Sequence, residues 1–155
     1  MILIYKVVER MAYGCDFETN TGNIPETRVW AWACVDIDSP DTTFRYGNDI
    51  RTFMEWLKDI ARYKEKIYFH NLKFDGDFIL NHILDQGWTQ VKQAKQAKNK
   101  TFSAIISGSG VFYQMRLYFS KHRYVTVQDS YKIIPLKVAK VAQAFGLEEK
   151  KGKNR

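Results

Sequence analysis

The sequence has few of the residues that would mark a secreted, membrane-spanning or disordered chain. It contains two cysteines and three prolines among 155 residues, and no apolar run approaches the roughly 20 residues that a membrane-spanning helix needs. The apolar stretch at residues 1–5 is too short for a signal peptide, and no small-residue cleavage site follows it. Its 45% hydrophobic content excludes a wholly disordered chain. We therefore expect a cytoplasmic globular protein without a membrane partner.

The two cysteines do not form a recognisable metal or redox motif. Cys15 and Cys34 lack the CxxC spacing, and each lies in a segment with strand character. We interpret them as two buried thiols and not as a disulfide or a metal site.

Acidic residues are fewer than basic ones. There are 17 Asp and Glu against 24 Lys and Arg, which gives a net charge of +7 and favours a polyanionic partner. Much of the excess lies in the lysine-rich stretch 92–100, which is either a solvated helix or a mobile basic loop, and in the tail that begins at Lys150. Aromatic residues, at 15%, are abundant enough to supply stacking surfaces for single strands.

Hydrophobic periodicity predicts a mixed α/β domain built round one sheet, over residues 1–147, with a basic, disordered tail at 148–155. Strands are expected at 2–8, 11–16, 27–37, 43–46, 67–70, 101–107, 111–119 and 124–129. Helices are expected at 49–63, 74–86 and 136–145.

Local sequence patterns also predict which side chains share a face and which residues cap the helices. Alternation over 27–37 puts Val29, Ala31, Ala33 and Val35 on one face of a strand. Asn48 is the expected N-cap of the first helix. The second helix is expected to bury Phe78, Ile79, Ile83 and Leu84 and to end at Gly87.

Three carboxylates are the residues most suited to chemistry. Asp16 and Glu18 lie in CDFET at a strand end, where positions i and i+2 face the same way, and Asp75 follows a short strand in YFHNLKFDGDFI. Grouped carboxylates suit the hard cations Mg²⁺ and Mn²⁺, and two such ions can promote phosphodiester hydrolysis. Taken alone, the DxE pattern is much more often a surface turn than a metal site.

Together, CDFET and YFHNLKFDGDFI resemble the first two exonuclease motifs of protein-primed family B DNA polymerases of phages and linear plasmids. VWAW, FMEWL and QDSYKIIPLKVAKVAQAFGL extend the similarity over about residues 12–152, and it is weakest at 87–100. The resemblance implies an RNase H-like (DnaQ-like exonuclease) fold, with a mixed sheet and flanking helices. It also implies that the cytoplasm is that of a host cell.

The resemblance further implies roles for individual residues. Asp16, Glu18 and Asp75 would be catalytic ligands of Mg²⁺ or Mn²⁺, and Lys151 would be a catalytic lysine. The residues that would hold or position the 3′ end of single-stranded DNA are Thr19, His70, Asn71, Phe74, Phe78, Ser130 and Tyr131. Four of these residues have a structural alternative: Phe78 as helix core, Ser130 as a turn cap, His70 as a hydrogen-bonded strand end and Lys151 as part of a solvated tail.

Two departures from the family pattern weaken the expected activity. Tyr131 stands where the family has leucine, and the printed sequence reaches Arg155 without the Tyr-x-x-x-Asp motif on a C-terminal helix. Asp129 and Asp77 are candidate substitutes, although Asp129 is expected to cap the next turn. We therefore expect a weakened 3′→5′ exonuclease without polymerase activity. The alternative is an inactive accessory or inhibitor protein that binds nucleic acid or a host or defence protein. Besides single-stranded DNA, the candidate partners are a second chain that completes the fold or a protein target.

Overall fold

The computed structural model describes residues 11–20, 26–41, 44–109 and 112–137, together with residues 140 and 144. The strand expected at 2–8, most of the helix expected at 136–145, Lys151 and the tail at 148–155 lie outside these ranges. The strands are β1 Ala12–Thr19, β2 Val29–Asp36, β3 Phe44–Gly47, β4 Lys66–Phe69, β5 Thr89–Gln90, β6 Thr101–Ile106, β7 Phe112–Tyr118 and β8 Tyr124–Asp129. The α-helices are α1 Ile50–Ile60 and α2 Leu72–Asp85.

All eight strands form one mixed sheet, in the order β3-β2-β1-β4-β8-β7-β6-β5. β4 lies at its centre and pairs in parallel with both β1 and β8, whereas β2, β3 and β7 run antiparallel to their neighbours. Because β1, β4 and β8 point the same way, their carboxyl ends meet at one end of the sheet. The mixed α/β architecture expected from the sequence is confirmed.

Both helices pack on the same face of the sheet, over an aromatic core. Phe17 lies 4.9 Å from Phe53 and 4.8 Å from Phe69, measured between ring centroids, and both contacts are edge-to-face. Trp32 packs against Phe53 and stacks on Trp56. Edge-to-face pairs add to the burial of large apolar surfaces, so this cluster fixes α1 against β1, β2 and β4.

Helix α1 follows the predicted apolar stripe but begins with a different cap. Phe53, Met54, Leu57 and Ala61 are buried, and Arg51 and Glu55 pair on the solvent side with 2.7 Å between them. The N-cap is Asp49 and not Asn48, because the Asp49 carboxylate accepts the backbone N–H of Thr52 at 2.7 Å. The hydrogen bond from the Thr52 backbone N–H holds the pKa of Asp49 below its ordinary value. A carboxylate in this position also interacts favourably with the helix dipole.

Helix α2 is flanked by two residues in the left-handed conformation. Its N-cap is Asn71, with a φ of 67°, and Gly87, with a φ of 78°, follows its last turn. The N–H groups of Gly87 and Trp88 bond to the carbonyls of Leu84 and Ile83, which closes the last turn as a Schellman motif. The expected end at Gly87 is therefore confirmed. Ile79 and Ile83 are buried as expected, but the expectation for Leu84 is wrong, since it is 49% exposed.

An irregularity in the β1–β2 pairing moves Val29 off its predicted face. Thr19 pairs with Val29 while Glu18 pairs with Ala31, so Trp30 is an extra residue in β2. Such a bulge shifts the alternation by one position. Val29 consequently shares the buried face with Trp32, and only Ala31, Ala33 and Val35 keep the common face that alternation predicted.

The cysteine interpretation is wrong. Cys15 and Cys34 are directly paired in the β1–β2 register, with 4.2 Å between their Cα atoms, and they form a disulfide. The 19-residue separation gave no sign of this, because the two thiols meet only through the strand register.

The lysine-rich stretch is a loop and not a helix. It contains a single 3₁₀ turn, Ala94–Gln96, in which Gln93 and Gln96 cap each other's backbone N–H groups, and Ala97 is buried beneath it. The two-residue strand β5 just before this loop was not expected from the sequence. Among the described residues, no helix is long and apolar enough to cross a membrane.

Candidate active site

The parallel register brings three predicted site residues into one row. Cys15, Phe69 and Asp129 are aligned across β1, β4 and β8. The next residues along the chain are Asp16, His70 and Ser130, and all three line one groove of about 700 Å³, which also extends along β1 to Ala12. Residues from three distant parts of the sequence thus meet, as expected for ligand sites of α/β sheets.

Asp16 and Glu18 project from the face of β1 opposite the core, because Cys15 and Phe17 point inward. The Asp16 side chain reaches solvent, yet its surroundings partly desolvate it and raise its pKa. The charge of Glu18 raises that pKa further, whereas the Phe17 N–H, which donates to Asp16 at 3.1 Å, opposes the shift. The predicted pairing of these two carboxylates on one face is observed.

Asp75 lies in the first turn of α2 and is partly buried. Burial raises the pKa of Asp75 from 3.8 to about 7, with further contributions from the negative charges of Asp16, Asp129 and Glu18. The Asp75 carboxylate is thus close enough to the pair on β1 to feel its charge, and the hydrogen bond from its own backbone N–H opposes the rise in its pKa. This is the electrostatic situation that a bound cation would relieve.

The donor chemistry of these residues fits a hard divalent cation, because all three are carboxylates. Within the part of the chain that the structure describes, however, no three Asp, Glu, His or Cys side chains converge closely enough to hold an ion as they stand. The carboxylates therefore form a loose acidic site, and ion binding would require their side chains to move together.

The groove has an apolar side as well as a polar one. Its apolar lining comprises Ala33 and Val35 of β2, Ile37 just after that strand, and Ile133 and Ile134, so the sheet face opposite the helices is uncovered there. A smaller neighbouring cavity of about 320 Å³ joins Asp16 and Glu18 to Phe44 and Tyr46. Phe44 and Tyr46 are 51% and 75% exposed, and sequence reasoning missed them as site residues. Their alternation on a short edge strand beside the carboxylates was the available signal.

His70 and Ser130 form a hydrogen-bonded pair. Nδ1 of His70 lies 3.1 Å from Oγ of Ser130, and its Nε2 lies 2.6 Å from the Leu136 carbonyl oxygen. Oγ of Ser130 also donates to the Phe69 carbonyl, at 3.3 Å, and Tyr131 packs edge-on against the imidazole. These contacts match the structural alternative for His70 as a hydrogen-bonded strand end. The alternative for Ser130 is not observed, because the side chain that caps the turn is that of Asp129. Both His70 and Ser130 lie on the groove wall.

The other predicted DNA-binding residues differ in accessibility. Phe74 is 65% exposed and free to stack against a base, whereas Phe78 packs against the core as its alternative held. Asn71 is exposed and its backbone N–H is bonded at 3.0 Å to Asp129. Thr19 ends β1 and is partly buried.

Asp129 joins two elements of the site. It is 4% exposed, and one carboxylate oxygen accepts the backbone N–H groups of Asn71 and Tyr131, at 3.0 and 2.9 Å. The expected cap of the turn is therefore present, and the same side chain also anchors the start of α2. Asp77, the other candidate substitute, is exposed on α2.

Comparison with known proteins identifies the relatives of this fold. A family model described as DNA polymerase type B, organellar and viral, matches residues 58–154. The DNA polymerase of Bacillus phage phi29 is 36% identical over 151 residues, which are 95% of this chain and 25% of that protein. The DNA polymerase of Bacillus phage Nf is 34% identical over 149 residues, with 94% and 25% covered.

The fold agrees with these sequence matches. The structure of phi29 DNA polymerase complexed with single-stranded DNA superposes with a TM-score of 0.79 at 33% identity, over 94% of this chain and 25% of that one. The chain spans about a quarter of the length of these relatives. The expected exonuclease-like fold and the resemblance to the N-terminal region of protein-primed family B polymerases are both confirmed.

Proposed function

This chain belongs to the family of organellar and viral type B DNA polymerases, and from that premise we propose that it is a 3′→5′ exonuclease domain acting on single-stranded DNA. The observation that carries the proposal is the grouping of Asp16, Glu18 and Asp75 at one end of the sheet, where burial, together with the negative charges of Asp16, Asp129 and Glu18, raises the pKa of Asp75 to about 7. Proteins tolerate such uncompensated carboxylates mainly where function uses them.

Mg²⁺ or Mn²⁺ is the proposed cofactor, held by Asp16 and Asp75 with Glu18 beside them. When bound, such an ion neutralises the scissile phosphate and lowers the pKa of a water molecule that hydrolyses the phosphodiester. The repulsion between the carboxylates disposes them to bind a cation, because binding removes the cost of keeping them charged together.

The 3′ end of the strand is proposed to lie in the groove beside the carboxylates. The exposed ring of Phe74 would stack on a terminal base, and the amide of Asn71 would donate to phosphate or sugar. Thr19 and the paired His70 and Ser130 would line the path of the backbone. The polymerase of phage phi29 has been solved with single-stranded DNA, which supports this ligand class.

The test is digestion of a 5′-labelled single-stranded oligonucleotide in Mg²⁺ or Mn²⁺. We expect stepwise shortening from the 3′ end that EDTA abolishes. The double variant Asp16→Ala/Glu18→Ala should lose activity by several powers of ten, since carboxylates that neutralise transition-state charge contribute several kcal/mol. Asp77→Ala, on the same helix as Asp75 but exposed, is the control and should keep full activity. Digestion that persists in the double variant would refute the proposal.

A second candidate function is nucleic-acid binding without cleavage, as an accessory or inhibitor protein. It is favoured by the finding that, among the described residues, the carboxylates do not converge on one ion position. Tight binding of a 3′-ended strand in Mn²⁺ with no shortening over hours would select this candidate over the first.

A further inference from the structure

The two ends of the sheet carry opposite charge. The carboxylates lie where β1, β4 and β8 end. The opposite end, where α1 finishes, β6 begins and β7 turns into β8, carries a group of cations that we call the basic end. Its members are Lys58, Arg62, Lys64, Lys98, Lys100, Lys121 and Arg123, of which all but Lys64 are exposed.

Contacts between the elements hold these cations together. Nη2 of Arg123, in the β7–β8 turn, donates to the Lys58 carbonyl of α1 at 3.1 Å. The backbone N–H of Lys100 donates to the Tyr118 carbonyl at 3.1 Å, and Nζ of Lys100 donates to the Gln86 carbonyl at the end of α2 at 3.3 Å. The basic end is therefore one surface assembled from four elements.

Helix electrostatics explains only part of this surface. Lys58 and Arg62 follow the last turn of α1, where cations interact favourably with the helix dipole. Lys98 and Lys121 lie in a loop and a turn, where no helix dipole requires a cation. Glu55, Asp59 and Asp85 are exposed acidic residues near this end, and Glu55 lines the cavity there, so the seven cations outnumber them.

A cavity of about 230 Å³ opens on the basic end. Trp88 and Phe119 line its apolar part, with edge-to-face rings 5.3 Å apart, and Gln86 and Asn99 contribute polar walls. Lys58 and Lys100 lie at its rim. Arg51 also borders the cavity, but its charge is balanced by Glu55 at 2.7 Å, and burial lowers the pKa of the neighbouring His82.

We propose that the basic end is a second nucleic-acid contact, which binds the phosphates of a single strand and admits one base into the cavity lined by Trp88 and Phe119. Lysines neutralise phosphates without reading sequence, whereas an apolar cavity with amide walls suits a base. We assign a single strand and not a duplex, because a base can enter the cavity only after it has left the stack that it forms with neighbouring bases. The choice of DNA as the ligand rests on the proposed function.

The experiment measures fluorescence anisotropy of a 3′-blocked single-stranded oligonucleotide of about 16 nucleotides in EDTA, so that neither cleavage nor metal contributes. The variant Lys58→Glu/Lys121→Glu is compared with Lys92→Glu/Lys95→Glu. The second variant changes the net charge by the same amount, at exposed positions in the lysine-rich stretch that lie outside the basic end. Each phosphate contact is worth about 5-fold in affinity near 0.1 M salt. We expect the first variant to lose at least about 25-fold in affinity and the second less than about 3-fold. The reversed charge in the last turn of α1 should lower the thermal stability of the first variant slightly, and both variants should remain folded at the assay temperature.

The remaining outcomes separate this proposal from the exonuclease proposal. Asp16→Ala/Glu18→Ala should keep the binding measured in EDTA, whatever its nuclease activity. An equal loss in the two lysine variants would show diffuse attraction and overturn the assignment of the surface. A duplex bound as tightly as the single strand would overturn the single-strand assignment, and an abasic oligonucleotide bound as tightly would overturn the role of the cavity.

Discussion

Replacing Asp75 with asparagine should stabilise the metal-free protein, and the gain should grow with pH. The substitution keeps the shape of the side chain and removes a charge that is disfavoured by burial and, to a smaller extent, by the negative charges of Asp16, Asp129 and Glu18. The pKa of Asp75 is about 7 in the folded protein and has an ordinary value of 3.8. Between these two values the folded protein holds a proton that the unfolded chain has released, so stability falls as the pH rises through this window.

The size of the effect follows from the pKa difference. The two pKa values differ by about 3, and each pKa unit is worth about 1.4 kcal/mol. The gain in the free energy of unfolding should therefore reach a maximum of about 4 kcal/mol above pH 7, where the carboxylate of the wild type is charged in both the folded and the unfolded state. The gain should shrink towards zero near about pH 4, where Asp75 is protonated in both states.

Urea unfolding followed by circular dichroism in EDTA, over about pH 4 to 8, measures this gain. Asp77→Asn on the exposed side of α2 is the matched control and should change stability by less than about 0.5 kcal/mol at every pH. A gain that is independent of pH, or equal in the two variants, would refute the electrostatic reasoning. Adding Mg²⁺ should stabilise the wild-type protein but not Asp75→Asn, because binding to the folded state alone shifts its stability by mass action.

Three further substitutions test the fold. Cys34→Ala, or reduction of the wild type, should lower the free energy of unfolding by about 3 kcal/mol, since the disulfide closes a loop with a 19-residue separation; equal urea midpoints for oxidised and reduced protein would contradict this. Gly47→Ala places a Cβ against the Trp32 indole and should cost about 1–3 kcal/mol in the same assay, and an unchanged midpoint would exclude the tight packing. Asp49→Ala should cost about 1 kcal/mol by removing the α1 cap, whereas Asn48→Ala should cost little; the reverse order in thermal melts would restore Asn48 as the cap.

Local patterns in the sequence were sufficient for much of the fold. The stripe Phe53–Leu57 and the turn at Gly87 predicted both helices, because helical periodicity and left-handed caps depend on neighbouring residues. The strand that carries Asp16 and Glu18 near its end could also be predicted, since side chains in a strand alternate between its two faces whatever the sheet topology. Errors of one or two residues, such as Asn48 for Asp49, arose where two adjacent polar residues can cap the same helix.

The amino-acid sequence alone determined which carboxylates share a face, which segments become strands and helices, and, through its motifs, the family. Tertiary structure decided the features that depend on strand register. These are the disulfide between Cys15 and Cys34, the bulge that turns Val29 inward, and the alignment of Asp16 with His70 and Ser130. It also decided that the basic residues gather at the end of the sheet opposite the carboxylates. Such contacts join residues far apart in the chain, and a shift of one position in pairing would reverse every side chain concerned, so no local pattern could specify them.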